Sequence, residues 1–124
     1  MNENIIFYMK RILTVFIRRN AMSQVSVQDR IGNEVKNNPV LLFMKGTPQS
    51  PQCGFSAQVV QTLQNHNVEF NSIDVLEDYD IRDGIKQYSN WPTIPQLYVK
   101  GDFVGGCDIV MDLERKGELQ GVLS

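Results

Sequence analysis

From residue 26 onward the chain switches between two hydrophobic periods. Val27, Ile31 and Val35 recur every four residues, which places them on one face of a helix, and Ser26 is suited to capping its start. Asn37-Asn38-Pro39 ends that helix. Val40-Leu41-Leu42-Phe43-Met44 has no polar position, the pattern of a strand buried on both faces. Lys45 to Gln52, rich in Gly, Pro and Ser, predicts a loop. A second helix is predicted from about Cys53 to Asn65, with Ala57, Val60 and Leu63 facing inward. Glu69 to Val75 alternates like a strand, and Tyr79 to Tyr88 predicts a third helix with Ile81, Ile85 and Tyr88 on its core face.

Two prolines interrupt the pattern at Trp91-Pro92-Thr93-Ile94-Pro95. Gln96 to Val99 then predicts a strand, Lys100-Gly101-Asp102 a tight turn and Phe103-Val104 its partner. The short connection makes that pair antiparallel. Gly105-Gly106 leads to Asp108, the expected N-cap of a closing helix from Ile109 to Lys116. The sequence carries no internal repeat. Helices and strands alternating in this order predict an α/β domain, a mixed four-stranded sheet flanked by helices, in the thioredoxin arrangement.

Residues 1–22 do not continue this pattern. Ile5 to Ile17 is apolar but is broken by Lys10 and Arg11, and it is too short to span a bilayer, which takes about 20 apolar residues. Its basic residues lie within and after the apolar stretch, which argues against a secretory signal. Two readings stand: a basic presequence of mitochondrial type, or an upstream extension with Met22 as the start of the folded protein. The second is preferred because no consistent helical face precedes Met22. The expected domain is therefore 23–124, with 1–22 outside the fold.

At 124 residues the chain fits one domain, since compact domains mostly run to about 100–150 residues. The net charge is −2, but residues 1–22 hold four of the twelve Lys and Arg and one of the fourteen acids, so the body is acidic. Nothing clusters cations as a nucleic-acid binder requires. Two cysteines, Cys53 and Cys107, are too few for a secreted disulfide framework, and with a single histidine they cannot make a zinc site. His66 ends a helix and is expected to be a surface cap. Glu77, Asp78, Asp80 and Asp83 crowd a helix start, where negative charge is favourable without any metal.

Cys53 is the candidate reactive group. It stands where a proline-containing loop enters a helix, and unpaired N–H groups and the peptide dipoles there stabilise a thiolate. Lys45, at the end of the preceding strand, adds positive charge. A dithiol oxidoreductase would carry a second cysteine at position 56, where this chain has serine. Cys53 must therefore work alone, with Cys107, or with an external thiol.

Four motifs in order, Lys45-Gly46-Thr47, Cys53-Gly54-Phe55-Ser56, Trp91-Pro92-Thr93-Ile94-Pro95 and Gly105-Gly106-Cys107-Asp108, resemble the monothiol glutaredoxins of the single-domain CGFS type, over roughly Ser26 to Leu119. The extension before Met22 has no counterpart in that pattern, and the chain stops soon after Leu119, where family members commonly run on with a polar tail. The resemblance implies that Lys45 and Arg82 bind glutathione carboxylates. It also implies that the backbone of Ile94, before a cis Pro95, pairs with the cysteinyl part of glutathione like an added strand. Cys107 and Asp108 would open the last helix as an anion site for the γ-glutamyl carboxylate, with Gly105 and Gly106 allowing close approach. Trp91-Pro92 either shapes the groove or packs. Cys107 is either a spectator beside glutathione or the disulfide partner of Cys53.

A 2Fe–2S cluster usually takes four thiolates. One Cys53 from each of two chains and two glutathione thiols would supply them, so the resemblance implies a homodimer bridged by cluster and glutathione, with Cys53 the only protein ligand of each chain. The expected function is a carrier or donor of iron–sulfur clusters, with a BolA-family protein and apo-acceptors as partners. Its expected place is a bacterial cytoplasm, or a mitochondrial matrix if 1–22 is a presequence, with neither membrane nor nucleic acid involved. The alternatives are a glutathione-dependent thiol–disulfide oxidoreductase, at most weakly active, using Cys53 catalytically, and a redox sensor in which Cys53 is glutathionylated.

Overall fold

The computed structural model describes residues 27–124. The segment 1–22 and the Ser26 cap lie outside the described residues. Helix α1 covers 27–37 and is followed by β1 (Val40–Met44), β2 (Gly46–Thr47), β3 (Ser50–Pro51) and α2 (Gly54–Asn65). Next come β4 (Asn71–Asp74), α3 (Tyr79–Ser89), β5 (Gln96–Val99), β6 (Asp102–Gly105), α4 (Cys107–Arg115) and α5 (Leu119–Leu123).

The main sheet has the order β4-β1-β5-β6. β1 runs parallel to β4 and antiparallel to β5, and β5 pairs antiparallel with β6, so the sheet is mixed as expected. Every side chain of β1 is buried because strands flank it on both sides and helices cover both faces. Strand periodicity sorts those side chains. Val40, Leu42 and Met44 pack with Val59, Val60 and Leu63 of α2, Val110 of α4 and Leu119 and Leu123 of α5. Leu41 and Phe43 point the other way, to Ile31 and Val35 of α1 and Ile81 and Ile85 of α3. The β5–β6 hairpin turns through Lys100 and Gly101, both with positive φ (52° and 86°), as a two-residue turn of primed type requires.

Several local expectations shift. The stretch Lys45 to Gln52 is a small antiparallel ribbon, β2 with β3, which reverses at Pro48-Gln49 and begins at Gly46, held at φ +88°. The inward face of α2 is Ser56, Val59, Val60, Thr62 and Leu63, and Ala57 is only half-buried. The strand read over Glu69–Val75 pairs only over Asn71–Asp74, where β1 lies alongside. Tyr88 stays partly exposed, its ring 6.0 Å from that of Tyr98. The closing helix starts at Cys107 with Gly106 as its N-cap, so Asp108 lies in the first turn rather than at the cap. Gly105, at φ +150°, turns the chain before Asp108 is reached. The short α5 was not expected; Leu119 and Leu123 seat it on the core.

Candidate functional site

Cys53 is the N-cap residue of α2, in extended conformation, at the junction with the β2–β3 ribbon. The ribbon is closed by Gln52 N–H donating to Lys45 O at 2.9 Å, and Gly46 N–H donates to Asp74 Oδ1 at 2.8 Å. These two bonds fix the chain on either side of the turn and bring Lys45 towards the cysteine. The neutral thiol makes no capping hydrogen bond. Its pKa is nevertheless held below the ordinary thiol value, first by the backbone N–H of Ser56, which outweighs the opposing effect of burial, and then by the Phe55 N–H and the charge of Lys45. The thiolate form of Cys53 is therefore favoured relative to an ordinary cysteine.

Ser56 is fully buried, and its Oγ accepts from Lys45 N–H at 3.2 Å. The position where a dithiol enzyme has its second cysteine thus ties β1 to α2. Cys107 is also buried, and its thiol donates to Gln58 Oε1 at 3.2 Å. Burial, then Asp108 and Cys53, push its pKa up, so the two thiols have opposite tendencies. Both are free.

A cleft of about 510 Å³ runs past Cys53. Its lining includes Lys45 with Arg82 and Lys86 of α3, and Gly106, Cys107 and Asp108 at the start of α4. No side chain caps that helix start, so its first N–H groups have no capping side-chain acceptor. The floor is Thr93-Ile94-Pro95, with the Ile94–Pro95 bond cis. Gln96, fully buried, holds this floor: its Nε2 donates to Trp91 O and Thr93 O, each at 3.1 Å. Trp91 lines the cleft and also packs on Phe103, centroids 6.0 Å apart, so it does both things the sequence left open. A cleft lined by cations, a helix N-terminus and a cysteine of lowered pKa suits a small peptide with two carboxylates and a thiol.

The Glutaredoxin family model matches residues 40–104. A ycf64-like monothiol glutaredoxin of Synechocystis sp. is 57% identical over 94 residues, which is 76% of this chain and 88% of that protein. The chain belongs to the monothiol glutaredoxin family. Monothiol glutaredoxin-S17 of Arabidopsis thaliana is 47% identical over 116 residues, 94% of this chain but 23% of that protein, so the present chain spans about a quarter of that longer relative. Among solved structures, reduced apo GrxS14 of poplar superposes with a TM-score of 0.67 at 49% identity, covering 75% of this chain and 85% of that one.

In this glutaredoxin the six residues singled out in the sequence, Lys45, Cys53, Arg82, Ile94, Cys107 and Asp108, all line the one cleft. Sequence reasoning missed Lys86, Phe55 and Ile109, which line it too. Lys86 was legible as one helical turn beyond Arg82. Phe55 and Ile109 are apolar yet exposed, 61% and 36%, and no periodic pattern distinguishes them from core residues. His66 is more than a surface cap. Its ring nitrogens lie 2.7 Å from Gln120 Oε1 and 2.5 Å from Glu114 Oε2, joining the end of α2 to α4 and α5. Among the described residues, no helix is long and apolar enough to cross a membrane.

Proposed function

We propose that this glutaredoxin binds glutathione in the Cys53 cleft and, as a pair of copies, carries a 2Fe–2S cluster for delivery to apo-acceptors. The observation that carries the reading is a cysteine of lowered pKa in a cleft also lined by Lys45, Arg82 and the start of α4, with a buried serine where a second thiol would resolve a disulfide. Lys45 and Arg82 would take one glutathione carboxylate, and the first N–H groups of α4 with Asp108 the γ-glutamyl end. The Ile94 backbone would pair with the cysteinyl residue, leaving the glutathione sulfur beside Cys53.

The donor set supports a shared cargo rather than a private one. Among the described residues no three His, Cys, Asp or Glu side chains gather as a metal site. One Cys53 per chain gives a pair of copies two ligands, and two bound glutathiones complete the four thiolates that such a cluster takes. The lowered pKa of Cys53 matters here because only the thiolate ligates iron. Because half of the ligands are not fixed protein side chains, acceptor thiolates can replace them, which suits a carrier. A BolA-family protein and apo-acceptors are the partners this role calls for. A reducing compartment, bacterial cytoplasm or mitochondrial matrix, keeps both thiols available.

The same thiolate supports a second, lesser activity. Cys53 can attack a glutathione mixed disulfide, and free glutathione can then release it, with no second protein cysteine needed.

Anaerobic reconstitution with iron, sulfide and glutathione tests the proposal. A visible chromophore that requires glutathione and is lost in Cys53→Ser is expected. A colourless protein that still reduces glutathione mixed disulfides would overturn the carrier role in favour of the second activity.

A further inference from the structure

Arg82 should, by sequence, be neutralised on its own helix. Asp78 lies four residues before it, the spacing and order in which an acid and a base pair best on a helix. That pair does not form. Asp78 Oδ2 is taken by Arg30 Nη2 of α1 at 2.7 Å, and its Oδ1 accepts from Ile81 N–H at 3.2 Å as the N-cap of α3. Arg82 makes no ion pair among the described residues, and its guanidinium carbon instead lies 5.9 Å from the centre of the Tyr79 ring. Tyr79 is 67% exposed and outside the cleft lining, so neither burial nor direct ligand contact accounts for an aromatic there. Tyr79, Arg82 and Lys86 follow the spacing i, i+3, i+7 along one face of α3, and the latter two line the cleft.

We infer that Tyr79 and Arg30 are positioning residues for Arg82: the ring supports the guanidinium, and Arg30 occupies the carboxylate that would otherwise draw it away. The guanidinium fork is then left available for a ligand carboxylate. The inference rests on the reading that Arg82 binds a carboxylate of glutathione.

The test follows Cys53 attack on glutathione disulfide in the full chain. The thiolate displaces one sulfur, forming the protein–glutathione mixed disulfide and releasing a glutathione thiolate. Two probes without carboxylates, hydroxyethyl disulfide and iodoacetamide, report intrinsic reactivity and an intact site. Wild type is expected to prefer glutathione disulfide strongly over hydroxyethyl disulfide. Absence of that preference would sink the glutathione reading itself. Given the preference, Tyr79→Leu is expected to slow the glutathione disulfide reaction about two- to five-fold, with Tyr79→Phe close to wild type. Arg30→Met is expected to slow it about two-fold, and Arg30→Met with Asp78→Asn to restore it, because asparagine still caps the helix but carries no charge. Iodoacetamide rates stay unchanged throughout. Wild-type preference retained in Tyr79→Leu and Arg30→Met, or no recovery in the double variant, would overturn the inference while leaving the glutathione reading intact.

Discussion

Gly46→Ala puts the ribbon that delivers Cys53 under direct strain. A Cβ at position 46 would lie 2.5 Å from Ser50 O and 2.7 Å from Gln52 N, both backbone atoms of the returning strand, which cannot rotate away. The residue also sits at φ +88°, where an L side chain adds about 1–2 kcal/mol. Overpacking against atoms that cannot yield adds about 1–3 kcal/mol. The sum, about 2–5 kcal/mol, is a large part of the roughly 5–15 kcal/mol by which a domain is stable. The strain falls on the turn anchored by Gly46 N–H to Asp74 and by Gln52 N–H to Lys45 O, one residue before Cys53. Urea denaturation followed by circular dichroism measures the loss, with Gly54→Ala as control. Gly54 opens α2 with nothing within 4 Å of an added Cβ, so alanine there leaves stability unchanged or raises it by up to about 1 kcal/mol. If Gly46→Ala comes within about 0.5 kcal/mol of wild type, the ribbon does not depend on that glycine and the reasoning fails.

Two further outcomes follow from titrating groups. The rate of Cys53 alkylation against pH should show a midpoint below the ordinary thiol value, and Ser56→Ala should move it little, because the Ser56 backbone amide outweighs its side chain. A midpoint at or above the ordinary value would contradict the amide-stabilised thiolate. His66 has its pKa raised, first by Gln120 and then by Glu114, so the charged ring stabilises the folded state. That contribution is complete below the unfolded value of about 6.5 and disappears as pH rises through the raised folded value. His66→Gln should therefore lose more stability relative to wild type at about pH 5.5 than at about pH 9, read by denaturant midpoints; an equal loss at both would show that the charge plays no part.

The central strand was the most legible element, because Val40 to Met44 must be covered on both faces wherever the chain takes them. The motif residues were legible for a different reason: Cys53 and the Gly106–Asp108 segment stand at helix starts that local sequence announces. What escaped depends on tertiary placement. Ser56 is polar yet fully buried, since its Oγ satisfies Lys45 N–H, and that rotates the inward face of α2 away from Ala57. Asp108 looked like a cap by residue type, but the glycine pair let the helix begin earlier. The ribbon inside the loop pairs only two residues on each side and includes Gly46 at φ +88°, a sign that a glycine in sequence does not announce. Lys86, Phe55 and Ile109 reach the cleft only once α3 and α4 are docked.

The most direct test of the carrier reading is native mass spectrometry of the anaerobically reconstituted protein. A species containing two chains, one 2Fe–2S cluster and two glutathiones is expected, absent when glutathione is omitted and absent in Cys53→Ser. A cluster held by a single chain, or by two chains without glutathione, would contradict it, because the ligand count from one cysteine per chain would then be wrong.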